Sequence, residues 1–297
     1  MAGSIRLKES MIKNQFKKIA PLTLNCTEAA SQDTKVYISI SSQRSGQHLI
    51  IRWLCENISD VVHFNHCYFY RKNMFYHLTP INGRRVIYRD GKIDDNLWPG
   101  REKLDCDHIR KLSFPNMLFS MEDVALSNNF VKRIVNIREN IHPVVILRDP
   151  YNWLASTMKK DGDSQQLLEK KKRFYIQYLE QALGENDYLK KNVTTINYNK
   201  FLIGPAYRES LCDEMNLYLS QRAEESLQDV PTFGGGSSFS GHDGDIKLIE
   251  SVFLRWKSYK NNSLYRRLLD DERLVSLTNA YFGEFPYRQE IRNMLQS

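Results

Sequence analysis

A short, wholly apolar segment, residues 143–147, constrains the fold of this chain more than any other feature. Its sequence is Pro-Val-Val-Ile-Leu, and Arg148, Asp149 and Pro150 follow directly. A strand that is buried on both faces is apolar throughout, whereas a strand with one solvated face alternates apolar and polar residues. Pro150 suits the first turn of a helix, because its missing N–H needs no intrahelical partner there. The segment therefore predicts a buried parallel strand that leads directly into a helix.

Further segments of the chain alternate between strand-like and helix-like patterns. β-Branched or apolar runs predict strands at 35–40, 85–88, 115–119 and 192–198. Apolar residues at helical spacing predict helices at 48–55, 121–139, 165–183, 206–220, 245–259 and 263–282, and one that begins near Tyr151. Because the two kinds of segment alternate, we expect an α/β fold with a central parallel sheet flanked by helices in three layers.

The length of the chain, 297 residues, suits one large domain with a sizeable core. We predict an N-terminal helix or arm over residues 1–34 and a single domain over residues 35–297. The number of cysteines, five, is odd, and no two have the Cys-x-x-Cys spacing. This pattern argues against a disulfide framework and a structural zinc site, and we expect a reducing cytoplasm. The sequence contains neither a long apolar run nor an apolar secretory signal, so we expect no membrane partner.

The formal net charge of +7 suits an anionic partner. The densest basic run, residues 170–173, lies within the predicted helix 165–183, and we interpret it as a solvated helix face. No dense basic tract has interleaved aromatic residues, so we expect no nucleic-acid partner. The charge alone does not distinguish a membrane surface from a polyanionic small molecule, and no sequence feature specifies an oligomeric state.

A short polar loop, residues 41–48, connects the first predicted strand to the helix after it. A helix N-terminus at the end of a strand collects unpaired N–H groups and favours an anion. Gly46 permits close backbone approach, and Ser45 and Gln47 can donate hydrogen bonds. Arg44 adds a charge that can grip two oxygens at once. The loop lacks the Walker A glycines and Lys-Ser/Thr pair, which disfavours an ordinary ATPase or GTPase. Taken alone, it is also compatible with a plain strand–helix connection.

A second candidate anion ligand lies at the end of the apolar strand. Arg148 follows that strand directly, and Ser156 lies eight residues later, about two turns into the next helix. Ligands of α/β sheets bind at the carboxyl ends of the strands, where these two side chains could share one phosphate. The alternatives are a salt bridge between Arg148 and Asp149 or another acid, and an ordinary helix-surface serine for Ser156.

These two segments resemble the family of sulfotransferases that use 3′-phosphoadenosine 5′-phosphosulfate (PAPS). Members carry a loop of the type Arg-Ser-Gly-Thr-Thr that holds the 5′-phosphosulfate, and this chain has Gln-Arg-Ser-Gly-Gln-His at 43–48. Members also carry an Arg and a Ser eight residues apart that hold the 3′-phosphate. Arg148 and Ser156 match that pair within the segment LRDPYNWLAS.

The resemblance runs from about residue 35 to residue 201. Family members usually have a Tyr-Glu pair near the adenine, and Tyr198 followed by Asn199 occupies that place here. The resemblance implies a P-loop-like three-layer fold, PAPS as the donor co-substrate, PAP as the released product, and no metal.

The chain departs from the family pattern at two places. Gln47 and His48 replace the usual threonines of the loop, although either can donate a hydrogen bond. The Arg-Lys-Gly segment of cytosolic members is missing near the C-terminus. A glycine-rich segment, 234–241, would replace it if Ser237 and Ser238 approached the 3′-phosphate; a flexible linker is the alternative.

Sulfuryl transfer requires aligned reactants and neutralisation of the charge on the leaving oxygen. Arg44 is the candidate for neutralising the charge on the leaving oxygen. A hydroxyl acceptor also needs a general base, and the family uses His or Glu. The candidates are His66, shortly after the first helix, and the adjacent carboxylates Glu122 and Asp123. The alternatives are a core histidine for His66 and a first-turn helix residue for Glu122.

Residues 60–80 are rich in aromatic residues and histidine, and they could line a pocket for a ring or a sugar, or simply pack. From the family behaviour we expect a small-molecule acceptor with a hydroxyl or an amine, such as a glycan, a phenol or an alkaloid of specialised metabolism. Two other functions stay open. One is a P-loop-type phosphotransferase or nucleotide kinase, and the other is a non-catalytic nucleotide- or RNA-binding protein.

Overall fold

The structure of the chain is a computed structural model, and it describes residues 34–59, 61–70, 73–75, 86–89, 92–93, 116–136, 139–228, 248–285 and 287–296. The predicted N-terminal helix or arm, residues 1–34, lies outside these ranges apart from Thr34. The glycine-rich segment 234–241 also lies outside them. The predicted single domain over 35–297 stays a prediction.

One sheet forms the centre of the fold. Its strands are β1 (Lys35–Ser41), β2 (Val61–Tyr70), β3 (Asn73–Phe75), β4 (Val86–Arg89), β5 (Lys92–Ile93), β6 (Asn116–Glu122), β7 (Ile141–Leu147) and β8 (Thr194–Asn197). The strand order is β5-β4-β2-β6-β1-β7-β8, and β3 pairs with β2. Strands β2, β6, β1, β7 and β8 run parallel, whereas β3, β4 and β5 pair antiparallel. The predicted α/β fold with a central parallel sheet is confirmed.

Helices cover both faces of this sheet. They are α1 (Gln47–Asn57), α2 (Asn129–Asn136), α3 (Pro150–Asp161), α4 (Gln165–Ala182), α5 (Tyr198–Ile203), α6 (Pro205–Met215), α7 (Gln221–Glu225), α8 (Leu248–Phe253), α9 (Ser263–Leu269), α10 (Glu272–Phe282) and α11 (Arg288–Gln296). Short 3₁₀ turns occupy Ser226–Gln228 and Arg255–Ser258.

The alternation of side chains along the strands explains the three layers. In β1, Val36, Ile38 and Ile40 belong to a core cluster that includes residues of α3, α4 and α9–α11. Tyr37 points to the other face, where the cluster includes residues of α1 and α5–α7. Successive side chains of a strand point to opposite faces, so a strand with helices on both sides must be apolar throughout. This requirement accounts for the fully apolar run in β7.

The strand order reverses its direction at β1, which lies between β6 and β7. The chain first crosses from β1 to β2 on one side, and after β6 it crosses back to β7 on the other. The connections therefore diverge at the carboxyl end of β1 and leave a crevice there. In open α/β sheets, ligands bind in such a crevice. The loop after β1 and Arg148 after β7 both lie at this edge.

Several elements differ from the predictions, and three of them show why. The helix predicted at 121–139 was wrong at its start, because residues up to Glu122 pair in register with β1 and α2 begins only at Asn129. The helix predicted at 263–282 is broken at Asp271, whose carboxylate caps α10 by accepting from the Leu274 N–H at 3.0 Å. Strand β2 was missed, because its aromatic and polar residues lack a clean alternation.

Candidate functional site

The loop between β1 and α1 has a backbone shape that only a few residue types tolerate. Arg44 and Gly46 both have positive φ values, 70° and 87°. A Cβ atom on Gly46 would lie 2.3 Å from the ring of Tyr198, so the glycine is needed both for its φ and for this close approach. Tyr198 begins α5 at the end of β8 and is almost fully buried. The loop is thereby packed under an aromatic ring from the edge of the parallel strands.

The N-terminus of α1 opens onto this loop. Gly46 is its N-cap, no side chain caps the helix, and its first turn contains no acidic residue. The first N–H groups of a helix have no intrahelical partner, and the helix dipole adds a partial positive charge at that end. The hydroxyls of Ser41, Ser42 and Ser45 are buried nearby and make no hydrogen bond within the described part of the chain. A buried hydroxyl without a partner costs about 1–3 kcal/mol, so an anion with several acceptor oxygens suits this cradle.

Arg148 and Ser156 come together as predicted. The guanidinium Nη1 of Arg148 donates to the Ser156 Oγ at 3.4 Å and to the carbonyl of Arg44 at 3.5 Å. Its Nη2 donates to the carbonyl of Val252 in α8. Arg148 is 1% exposed, and its buried Nε has no hydrogen-bond partner in the described residues. One guanidinium thus joins the first loop, α3 and the C-terminal segment of the chain.

The salt bridge that was the alternative for Arg148 does not form. Asp149 is buried, and its Oδ1 accepts from the backbone N–H and the side-chain amide of Asn152 at 2.8 and 3.0 Å, which caps α3. Its Oδ2 accepts from the Asn199 side chain at 3.1 Å. Asn199, where the family has a glutamate, therefore holds Asp149. Among the described residues, Arg148 contacts no carboxylate.

Arg255 is a third member of the cluster that the sequence reasoning missed. It lies in the 3₁₀ turn after α8, is 8% exposed, and its Nη1 donates to the Ser156 Oγ at 2.9 Å. The next residue, Trp256, donates its backbone N–H to the Asn152 Oδ1 at 3.3 Å, and this contact attaches the turn to α3. A run of 99 residues separates Ser156 from Arg255, so no sequence spacing indicates this contact.

Positive charge accumulates where these elements meet. Burial lowers the pKa of Arg148, the nearby charge of Asp149 opposes this shift, and the charge of Arg44 adds to it. Burial together with the charges of Arg148 and Arg44 lowers the pKa of Arg255 to about 8. Burial also lowers the pKa of Arg44, while the carboxylates of Glu122 and Asp161 oppose this shift. Arg44 and Arg148 thus disfavour the charged form of Arg255, and a multiply charged anion bound beside them would favour it.

Tyr198 lies between the two anion-binding elements. Its ring packs on Gly46 and lies 5.7 Å from the Arg148 guanidinium, within reach of a cation–π contact. Its predicted position near the adenine is not tested by these contacts.

Gln47 and His48, predicted as donor ligands, have different surroundings. The Gln47 side chain is buried, and its Nε2 donates to the Ser39 Oγ at 2.9 Å and, more weakly, to the carbonyl of Met121. This amide therefore connects β1 to β6, and an anion at the start of α1 would be bound by the backbone N–H of Gln47 and not by its side chain. Burial, and after it the charge of His48, lowers the pKa of His63.

The two carboxylates at the end of β6 have distinct environments. Asp123 has a positive φ of 52°, and its Oδ1 accepts from the Gln43 N–H at 3.0 Å. Its Oδ2 lies 2.7 Å from the Nζ of Lys171. Glu122 pairs in register with Ser41 at the carboxyl edge of the sheet, and its charge opposes the lowering of the Arg44 pKa by burial. Asp123 is thus anchored to the loop and to Lys171, and the charge of Glu122 acts on Arg44.

The remaining predicted residues fall outside the described side chains. His66 lies in β2, and its side chain is not among those described. Ser237 and Ser238 lie outside the described residues. Within the described residues, no group of three or more His, Cys, Asp or Glu side chains is arranged to hold a metal ion. Over the same ranges, no helix combines the length and apolar character needed to cross a bilayer.

Comparison with known proteins finds likeness at the level of structure. A solved structure described as "Sulfotransferase Domain from the Curacin Biosynthetic Pathway" matches 85% of this chain and 99% of its own, with a TM-score of 0.51 and 16% sequence identity. No protein-family model and no curated protein sequence matches the chain. At this level of identity the likeness shows that the two chains share a fold.

Proposed function

We propose that this protein is a sulfotransferase that moves a sulfuryl group from PAPS to a hydroxyl or an amine of a small molecule. The observation that carries the proposal is the cluster of Arg148, Ser156 and Arg255 beside an uncapped anion cradle at the switch point of the sheet. PAPS carries two separate anionic groups, and the chain offers two separate anion-binding elements at this edge. The shared fold with a sulfotransferase domain supports the same assignment.

The residues fit the donor on chemical grounds. The N-terminus of α1, with the orphaned hydroxyls of Ser42 and Ser45, would hold the 5′-phosphosulfate. Arg148, Ser156 and Arg255 would hold the 3′-phosphate, because two guanidinium groups and a hydroxyl provide donors for several phosphate oxygens. Tyr198 lies between these two elements and would contact the nucleoside.

The transfer is an in-line displacement in which atoms balance without a metal. The acceptor oxygen or nitrogen forms a bond to sulfur while the bond from sulfur to the bridging phosphate oxygen breaks. The leaving group is PAP, and its new negative charge is stabilised by Arg44 and the N–H groups of α1. The proton of the acceptor passes to a general base.

We propose Glu122 as the general base in preference to Asp123. Both oxygens of Asp123 are already used, one by the Gln43 N–H and one by Lys171. Glu122 lies at the same strand end beside Arg44, where the leaving oxygen would sit. His66, from the neighbouring strand β2, remains the second candidate.

The acceptor class follows from the family resemblance and not from a described pocket. We propose a hydroxyl or an amine on a specialised metabolite or a glycan. Transfer from labelled PAPS to a library of such compounds identifies it.

The deciding experiment compares PAP with AMP by calorimetry. AMP lacks the 3′-phosphate, so the proposed site should bind PAP at least tenfold more tightly, since charge-assisted hydrogen bonds contribute about 1.5–3 kcal/mol each. Equal affinity for the two nucleotides would contradict the assignment of Arg148 and Ser156. Phosphoryl transfer from ATP with Mg²⁺ would instead identify a nucleotide kinase. Tight PAP binding with no sulfate turnover on any acceptor would identify a non-catalytic nucleotide-binding protein.

A further inference from the structure

Gln43, the residue before Arg44 in the candidate donor loop, is held by three different parts of the fold. Its N–H donates to the Asp123 Oδ1 at 3.0 Å, at the end of β6. Its carbonyl accepts from the indole Nε1 of Trp153 in α3, also at 3.0 Å. Its side-chain Oε1 accepts from the Nζ of Lys171 in α4 at 3.0 Å. The backbone N–H, the carbonyl and the side-chain oxygen of Gln43 are thus each fixed from outside the loop.

Lys171 is the centre of this arrangement. It is 5% exposed, and its Nζ lies 2.7 Å from the Asp123 Oδ2 and 2.6 Å from the Asp161 Oδ2. Burial acts to lower the pKa of Lys171, but the two carboxylates outweigh it and raise the pKa above its ordinary value. Lys171 is therefore charged at neutral pH.

The geometry excludes Lys171 as a ligand of the donor. An ammonium group has three N–H donors, and here Gln43, Asp123 and Asp161 take one each. Two carboxylates also neutralise its charge locally. Its effect on the loop must therefore act through Gln43 and Asp123.

The loop conformation explains why such an anchor is needed. Arg44 follows Gln43 directly and adopts a left-handed φ of 70°, which costs a non-glycine residue about 1–2 kcal/mol. Without outside contacts, the chain would relax toward an ordinary φ, and both the Arg44 side chain and its carbonyl, which accepts from Arg148, would move. Such strain persists where surrounding structure over-determines the backbone.

We propose that Lys171, with Asp123 and Asp161, is a positioning device that holds the Gln43–Arg44 backbone in the shape that binds the anionic donor. We call this set the Lys171 clamp. This inference rests on the proposed function for its ligand, PAP, but its effect on the loop does not depend on that ligand.

Lys172 provides a matched control on the same helix. It is 9% exposed and bridges two carboxylates, Glu169 at 3.1 Å and Asp271 at 3.0 Å. Its partners lie in α4 and at the start of α10, away from the loop. Lys171→Met and Lys172→Met thus each remove an ammonium group that bridges two carboxylates, and only the first removes a contact to Gln43.

The first measurement is PAP affinity by calorimetry. We expect Lys171→Met to weaken PAP binding at least tenfold and Lys172→Met to change it less than twofold. The reason is that even a small displacement of the groups that bind a ligand lowers affinity strongly, and only Lys171 holds the Gln43–Arg44 backbone. Gln43→Met removes only the side-chain contact to Lys171 and keeps the ion pairs, so it covers the case in which Lys171→Met does not fold. We expect a smaller loss, about threefold or more, for Gln43→Met. Wild-type PAP affinity in both Lys171→Met and Gln43→Met would overturn the proposal.

The second measurement is amide hydrogen exchange of residues 42–48 without any ligand. Faster exchange in Lys171→Met than in Lys172→Met, at matched overall stability, supports the clamp, and equal exchange overturns it. This measurement tests the Lys171 clamp separately from the proposed function. If the wild-type protein binds no PAP, the proposed function fails, and hydrogen exchange still decides whether Lys171 fixes the loop.

Discussion

The Ser156 hydroxyl accepts a hydrogen bond from Arg255 at 2.9 Å, across 99 residues of chain. The same hydroxyl accepts from Arg148 at 3.4 Å and donates to the Asn152 carbonyl at 2.7 Å. One small side chain in α3 therefore brings two buried guanidinium groups from different segments to a single point. The arrangement concentrates positive charge without a contacting carboxylate for Arg148 among the described residues, which is costly unless an anion joins it.

Replacing Arg255 tests whether it belongs to the nucleotide site. Arg255→Ala should weaken PAP binding about tenfold or more and leave AMP binding within about twofold, because only PAP carries the 3′-phosphate. Arg148→Ala should have the same selectivity. Calorimetry with both nucleotides measures these ratios.

The control for Arg255 is Lys257, two residues further along the same turn. Its side chain is 46% exposed and lies near the exposed Glu290, so Lys257→Ala should preserve both affinities. An equal loss of PAP and AMP affinity in Arg255→Ala would instead indicate that the residue only maintains the fold.

Alanine substitutions at Gly46 and Gly184 distinguish the cost of backbone strain from the cost of a steric clash with a neighbouring side chain. Both have positive φ values, 87° and 70°, but a Cβ on Gly46 would lie 2.3 Å from the Tyr198 ring, whereas nothing lies within 4 Å of one on Gly184. Gly184→Ala should cost about 1–2 kcal/mol of unfolding free energy from strain alone and preserve PAP affinity. Gly46→Ala should cost more, since the ring must also move, and should abolish measurable PAP binding. Denaturant unfolding and calorimetry on both variants measure the two effects, and intact PAP binding in Gly46→Ala would refute the proposed cradle.

Local patterns were sufficient to predict several of the elements that form the candidate donor site. The strand, loop and helix over 35–57 follow from residues next to one another in the chain. Arg148 and Ser156 meet because a strand end and two helical turns set their separation, which is a short-range geometry. The fold class followed similarly from the alternation of strands and helices.

Other features depend on contacts between distant segments, which no spacing reveals. Arg255 lies in a segment with the pattern of an ordinary amphipathic helix, and only the packing of that segment on α3 brings it to Ser156. The surroundings of Glu122 and Asp123 differ, since Asp123 adopts a left-handed φ and forms an ion pair with Lys171. In sequence the two residues are simply adjacent acids at the end of a strand.

The buried His63 makes the protein sensitive to acid. Its Nε2 lies 3.1 Å from the Ser120 Oγ, and burial together with the charge of His48 lowers its pKa to about 3. Its ordinary pKa is about 6.5, so between these values the unfolded chain binds a proton that the folded chain does not. Stability should therefore fall as pH decreases below about 6.5, by up to about 1.4 kcal/mol per pH unit.

His63→Gln retains a hydrogen-bonding group but cannot take up this proton. Urea unfolding from pH 7 to pH 4.5 should show a shallower loss in that variant, and identical slopes would mean that other groups dominate.

The adjacent carboxylates at the end of β6 should give opposite kinetic signatures. Glu122→Gln removes the proposed base, so kcat at saturating PAPS should fall about 100-fold or more, the usual contribution of general base catalysis, while PAP affinity is kept. Asp123→Asn weakens the contacts to the Gln43 N–H and Lys171, so PAP affinity should fall and kcat at saturation should change less.

His66→Ala, assayed alongside, tests the rival base. A large kcat loss in His66→Ala together with full activity in Glu122→Gln would identify His66 in β2 as the base. Equal changes of kcat and of PAP affinity in Glu122→Gln and Asp123→Asn would contradict the distinction between a catalytic and an anchoring carboxylate. Steady-state kinetics on the acceptor found in the PAPS screen, with PAP calorimetry on the same samples, distinguishes these results because one measures turnover and the other the donor site alone.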